Sequence, residues 1–428
     1  MKSDIKQRIT QLKKGEVPNG YEKMEIGTFP IGWKITTLDK LLDFKNGVNA
    51  DKEKYNSGVK MISVMDILTD TPILYDSIKG QVDIDEKTLD IYSVTYGDIL
   101  FQRSSETVED AGKSNVYLDP DKTATYSGFV IRGKKKAEYN PYFLNEVLRI
   151  GQVRSQIMRS AAGSQHINVG QDSLAKIIVP IASSDEQSKI AKILMKWDEA
   201  IELQEKQIHQ LNKRKKAVLQ HIFSKEKPQN TIVLGESVLL ISSGGTPLTS
   251  NDEYFNGDIV WVSIDDISQS DKYIYDSSRK LTDKGIENSS AKIFPKGTIL
   301  YAMYASIGKC SIAGVDCATS QAILGILPDP QKLDNQYLYY YLCSIQDMII
   351  LQGQKGTQSN LNKKMVFDFK IPVPCKNNDI DIEKQKAIAD VLAKIDEEIS
   401  LNNEKIEKIK KQRKILQKYL LNGIVRVN

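Results

Sequence analysis

The amino-acid sequence predicts a mixed α/β (α+β) protein made of two copies of one unit. Each unit is a globular segment followed by a long helix, and the two helices pair as an antiparallel coiled coil. Three observations predict this. Two heptad seams of equal length recur at a constant offset, the segments before them echo one another at nearly the same offset, and apolar runs within those segments are short and bounded by Gly, Pro, Asn and Asp. Size agrees, since 428 residues of 40% hydrophobic composition exceed the roughly 250–300 that one core serves.

Taken in order, residues 1–32 form an N-terminal arm in which Ile5 to Lys14 reads as a helix, either packed near the ends of the long helices or left as a frayed tail. The arm opens on the polar Met1-Lys2-Ser3-Asp4, without the apolar core of a secretory signal, and the chain has no run of about 18 apolar residues. A cytoplasmic protein without a membrane partner is expected.

Residues 33–184 are the first globular segment, with strands expected at Lys60 to Ile67 and Ile99 to Gln102 and a helix from Pro141 to Met158. The first long helix occupies 185–226. Its core positions Ile190, Leu194, Trp197, Ile201, Gln204, Ile208, Leu211, Lys215, Val218 and Ile222 step by four and three.

Residues 227–378 repeat the globular segment, with strands expected at Ile259 to Ile264 and Thr298 to Tyr304 and a helix from Asn335 to Gln352. Residues 379–428 hold the second helix, with Ile388, Leu392, Ile395, Ile399, Asn402, Ile406, Ile409, Arg413, Leu416 and Leu420 on its seam. The offset is 198 at both ends (388 less 190, 420 less 222). Both seams are broken by polar residues at matching places, Gln204 with Asn402 and Lys215 with Arg413, a pattern that fixes register at a cost in stability. At 1.5 Å per residue each seam is about 50 Å long.

The globular echoes are fainter. Gly97-Asp98-Ile99-Leu100-Phe101 answers Gly297-Thr298-Ile299-Leu300-Tyr301, Gly163-Ser164-Gln165 answers Gly356-Thr357-Gln358, and Val179-Pro180 answers Ile371-Pro372.

Enzyme signatures fail. No phosphate-binding GxxxxGK[ST] loop exists, and His166, His209 and His221 are scattered without carboxylates at ligand spacing. Cys310, Cys317, Cys343 and Cys375 match neither a paired zinc site nor a disulfide framework, so they read as reduced structural thiols. A net charge of +4 decides nothing, because a duplex-binding surface needs clustering more than total charge.

With the repeat laid out, the chain resembles the specificity subunit of type I restriction-modification systems. The resemblance rests on Gly163-Ser164-Gln165, Pro180, Glu186-Gln187, Ile190-Ala191-Lys192-Ile193-Leu194 and Asp198. It occurs again in Gly356-Thr357-Gln358, Pro372, Lys384-Gln385, Ile388-Ala389-Asp390-Val391-Leu392 and Asp396.

It implies two target-recognition domains that each read one half of an asymmetric, bipartite double-stranded DNA site. It also implies that the paired helices set the gap and dock two modification (methyltransferase) subunits. No cofactor belongs to this chain. S-adenosylmethionine is implied for the modification partner, and ATP and Mg for restriction (translocase/endonuclease) partners. Asn140-Pro141-Tyr142-Phe143 is similar to the Asn-Pro-Pro-aromatic motif of amino-methyltransferases but lacks the second proline, so the chain is read as non-catalytic. The rival is a coiled-coil scaffold that never touches DNA.

Candidate DNA contacts are polar residues in loops after corresponding strands. Gln102, Arg103 and Ser104 precede Gly112-Lys113, the proposed counterpart of Gly308-Lys309, and Ser306 and Lys309 follow the matching strand. Gln165 and His166, with Gln358 and Ser359, carry donors and acceptors suited to base edges. Thr246 lies in Ser243-Gly244-Gly245-Thr246-Pro247, where the first segment has Lys45-Asn46-Gly47-Val48. The basic clusters Lys213-Arg214-Lys215-Lys216 and Lys408 to Lys414 are candidates for tracking phosphates.

Overall fold

The computed structural model describes residues 2–163, 166–224, 230–355 and 361–427. The expected boundary at 226/227 lies outside the described residues. The chain separates into two units: Met1–Gln204 with Lys405–Asn428, and Glu205–Glu404. Each unit therefore holds one globular segment and a piece of both long helices, which span Ser184–Ile222 and Ile382–Leu421.

In the first unit a four-stranded antiparallel sheet runs in the order Leu42–Asn46, Val130–Lys135, Ile99–Gln102, Ser114–Val116. Its strands Ile99–Gln102 and Ser114–Val116 are continuously buried, as strands covered on both faces are. The helix Pro141–Leu148 is buried along its whole length in the larger core. Asn140 starts it, its side chain accepting from the Phe143 amide at 3.0 Å, with Pro141 at the first helical position. The methyltransferase-like tetrapeptide is thus a helix cap. The expected helix to Met158 breaks, because Ile150 is extended (ψ 150°) and a new helix begins at Gly151.

The second unit repeats the sheet in the same order: Val238–Ser243, Ile323–Pro328, Ile299–Ala302, Cys310–Ala313, with Tyr273–Ile274 added at the edge. One uninterrupted helix, Asn335–Lys355, stands where the first unit has two. The strands expected to reach Ile67 and Ile264 stop earlier, at Ile62 and Val262. The reason is the same in both: Ser63 and Ser263 form capping boxes with Asp66 and Asp266, whose carboxylates accept from the serine amides at 2.8 Å.

The helix seams are real packing faces. Ile190, Leu194 and Leu392 are 0% exposed, and Ile395 and Ile406 are buried, whereas Leu203 and Leu401, off the seam, are 69% and 59% exposed. Trp197, Ile201, Ile208, Leu211, Ile388, Ile399 and Ile409 are half-buried.

Within the first unit, Leu420 and Leu421 share a core with Ile190, Ala191 and Leu194, while Arg413 meets Asp198. Within the second, Ala389 and Leu392 join Leu219 and Phe223, while Asp396 meets Lys215. The helix pieces in each unit therefore run antiparallel. The N-terminal helix Lys2–Lys13 also lies in the first unit, where Arg8 donates to the Ile424 carbonyl near the end of the second long helix. Among the described residues no helix is long and apolar enough to cross a membrane.

Candidate nucleic-acid interface

One edge of each central sheet gathers the candidate loops. In the first unit the strand ends Asn46, Val130 and Gln102 are neighbours, so the loops at 47–49, 127–129 and 103–112 leave side by side. In the second unit Ser243, Ile323 and Ala302 place 244–246, 320–322 and 303–309 in the same way.

The two edges share a backbone frame bond for bond. Gly47 donates to the Val130 carbonyl and Gly244 to that of Ile323, both at 3.1 Å. Val48 and Gly245 donate to Tyr126 and Thr319 at 2.9 Å. Arg103 donates to Phe129 at 2.9 Å, and Met303 to Ala322 at 3.0 Å. Gly112 and Gly308, both at positive φ, donate back to Gln102 and Ala302 at 3.0 Å. Lys45-Asn46-Gly47-Val48 and Ser242-Ser243-Gly244-Gly245 thus occupy one address despite their different sequences. Glycine is required there, because a Cβ on Gly47 would lie 2.1 Å from the Ser127 carbonyl oxygen and one on Gly244 2.2 Å from that of Thr319.

Several expected contacts meet at these edges. In the first unit Arg103 is half-buried, its Nη1 donating to the Gly128 carbonyl at 3.3 Å. Ser104 donates to Asn168 Oδ1 at 2.5 Å, and its strand pairs with Ile167–Asn168, which brings the exposed His166 beside the Arg103 loop. Lys113 is exposed and paired with Asp110 at 2.5 Å, an interaction that holds the Asp110 carboxyl below its usual range.

Gln102 differs from expectation: it is 5% exposed and turns inward, its Nε2 donating to the Ser104 carbonyl at 2.9 Å. It shapes the loop from beneath. In the second unit Thr246 is exposed, Ser306 shares a 2.7 Å hydrogen bond with Ser268, and Lys309 donates to the Ser268 carbonyl at 2.5 Å. Gln165, Gln358 and Ser359 lie outside the described residues.

Three further edge residues escape sequence reasoning: Asn49, Phe129 and Gln321, all exposed. Phe129 is 65% exposed, which nothing in the core explains. Its only sequence signal is a glycine before an aromatic at a strand start.

Two of the motifs shared by the halves, the glutamine that opens each long helix and the aspartate further along it, are structural. Gln187 Oε1 accepts from the Asn140 amide at 2.9 Å and Nε2 donates to Ala182. Gln385 does the same for Asp334, also at 2.9 Å, and for Lys332. Each glutamine thereby fastens the first turn of a long helix to the start of its domain helix.

Asp198 receives Arg413 Nε at 2.8 Å and the Tyr142 hydroxyl. Asp396 receives Lys215 Nζ at 2.5 Å and the Tyr340 hydroxyl at 2.7 Å. The basic interruptions of one seam therefore answer the motif aspartates of the other. Burial alone would lower the Arg413 pKa, but Glu146 and Asp198 more than offset it and raise it. Lys215 and Arg413 are consumed in these pairs and Lys216 pairs with Asp347, so the basic clusters are only partly available to phosphates.

Cys310 and Cys343 approach to 3.9 Å as free thiols, and burial pushes the Cys317 thiol up to about 12. Among the described residues no group of three or more His, Cys, Asp or Glu stands ready for a metal.

Comparison with known proteins places these features. The model of the type I restriction modification DNA specificity domain matches residues 30–213 and again 233–411. A putative type I restriction enzyme MjaX specificity subunit of Methanocaldococcus jannaschii is 28% identical over 95% of this chain and 97% of its own length. The EcoR124I/EcoR124II specificity subunit of Escherichia coli is 28% identical over 57% of this chain and 60% of its own.

Among solved structures, the S subunit of a type I restriction-modification system from M. genitalium superposes with a TM-score of 0.56. It is 16% identical and is matched over 95% of this chain and 97% of that one. A chain from a type I system studied for its complex assembly and conformational transition gives 0.61 at 17% identity, over 93% and 99%. These two likenesses establish the fold.

Proposed function

The chain belongs to the type I restriction-modification DNA specificity family, both of its halves matching, and from that premise we propose that it gives such a complex its DNA sequence. Each unit reads one half of an asymmetric, bipartite duplex site through the loops at its sheet edge. The target-recognition domains are residues 33–184 and 227–378. The long helices fix the gap and dock two modification subunits, with restriction subunits joining them.

The chain itself performs no chemistry. S-adenosylmethionine is bound by the modification partner, and ATP and Mg by the restriction partner. The complex works in the cytoplasm, where chromosomal DNA lies. The observation that carries the reading is the pair of edges with one backbone frame and different exposed side chains, as two readers of different half-sites need.

Co-expression with a modification subunit, followed by mapping of N6-methyladenine with and without this chain, tests it. A bipartite motif that vanishes with the chain is expected. Unchanged methylation with an active partner would favour a scaffold that never touches DNA.

A further inference from the structure

At the shared loop address, the two units keep a serine and a glycine and differ in the side chains they expose. Ser127 and Ser320 sit at the same point, their amides bonded to Ile62 and Val262 at 3.0 and 2.9 Å. Gly47 and Gly244 pack beneath them.

The exposed side chains differ. The first unit has the buried Gly128 and presents the 65% exposed Phe129, where the second presents the exposed Gln321 and the half-buried Ala322. Asn49 lies beside the first loop, its Oδ1 only 1.7 Å from where a Gly128 Cβ would sit, and Thr246 takes the corresponding place in the second unit. A loop that served only to turn the chain would have no use for an exposed phenyl ring in one copy and an amide in the other, since the same turn is made with both.

We propose that these paired loops are where the half-sites are told apart, with Phe129 and Asn49 as determinants of the first half-site and Gln321 and Thr246 of the second. The inference rests on the DNA-reading function above. Gln321 carries a donor and an acceptor on one amide, the pattern that matches the major-groove edge of adenine, and Phe129 offers the apolar face that suits a thymine methyl group.

The full chain, assembled with its modification subunit, is tested by competition binding. The competitors are the duplex carrying its methylation motif and duplexes with single base-pair changes in either half. Phe129→Ala should reduce discrimination at positions of one half-site only, and Gln321→Ala at positions of the other half-site only, each by roughly 5- to 150-fold. Leu239→Ala, which truncates an equally exposed apolar residue on a strand, should change neither. Because both target side chains are exposed, the variants should melt with the unaltered chain.

Discrimination retained at every position, with binding intact, would overturn the inference and leave the function standing, as would losses spread evenly over both half-sites. An unaltered complex that binds all duplexes alike would overturn the function itself, and the inference with it.

Discussion

The first unit closes its helix pair with an arginine that grips two carboxylates, the second with a lysine that reaches one. Arg413 contacts Asp198 at 2.8 Å and Glu146 at 2.7 Å with 13% of its side chain exposed, and Glu146 is 1% exposed. Lys215 contacts Asp396 at 2.5 Å with both side chains about a quarter exposed, at 22% and 24%. The second unit adds another cation, Lys272, which donates to Gln336 Oε1 at 2.5 Å and lies 4.5 Å above the Tyr340 ring; burial lowers its pKa. The antiparallel pairing demands an acid opposite a base at this point and leaves open which base, how deeply it is buried and what surrounds it. A planar fork suits the dry, two-carboxylate site, and a point charge suits the wetter one.

Breaking each lock measures that difference. Arg413→Ala takes the buried guanidinium from Glu146 and Asp198, leaving Glu146 to Arg149 and Gln417 and Asp198 to the Tyr142 hydroxyl, and should cost about 3 kcal/mol, read as lost hydrogen-exchange protection in 184–204 and 405–421. Gln187→Ala and Gln385→Ala should cost about 1 kcal/mol each and equally, since either leaves a partly buried backbone amide without its side-chain partner. Chemical denaturation of the two variants side by side checks this, and unequal losses would mean that the two junctions differ beyond the locks.

Lys215→Ala should cost only about 1 kcal/mol, because its partly exposed pair is screened by solvent, with protection lost in 205–222 and 382–404 instead. The exchanged variants sharpen the contrast further. Arg413→Lys should weaken the first unit by about 1 kcal/mol, whereas Lys215→Arg should change the melting temperature by little more than measurement error.

Much of this architecture is legible in the amino-acid sequence. Heptads announce helices strongly, because every seam position repeats the same physical demand, and the seam residues are buried or half-buried as that demand requires. The partners of the polar interruptions are not legible there. A constant offset invites setting Lys215 beside Arg413, whereas antiparallel helices bring each opposite the other's aspartate, a relation that emerges only once the register of the pairing is known.

Local signals mislead where two patterns overlap. Ser63 and Asp66 spell a capping box inside an apolar run that reads as strand, and the break at Ile150 interrupts a periodicity that continues on both sides. At the proposed reading edges, Arg103 and Lys309 stand out in the sequence because they follow a recognisable strand. Phe129 and Gln321 escape because their loop joins the edge from a distant part of the chain, and only sheet pairing shows that they stand at one address.

The central claim, two readers held by a helical ruler, is tested most directly by inserting one heptad into both long helices and mapping N6-methyladenine in cells that also carry the modification subunit. Seven residues add about 10 Å of helix, close to three base-pair steps of duplex. The account predicts a motif with both half-sites unchanged and a gap longer by about three base pairs; an unchanged gap, or an altered half-site, would contradict it.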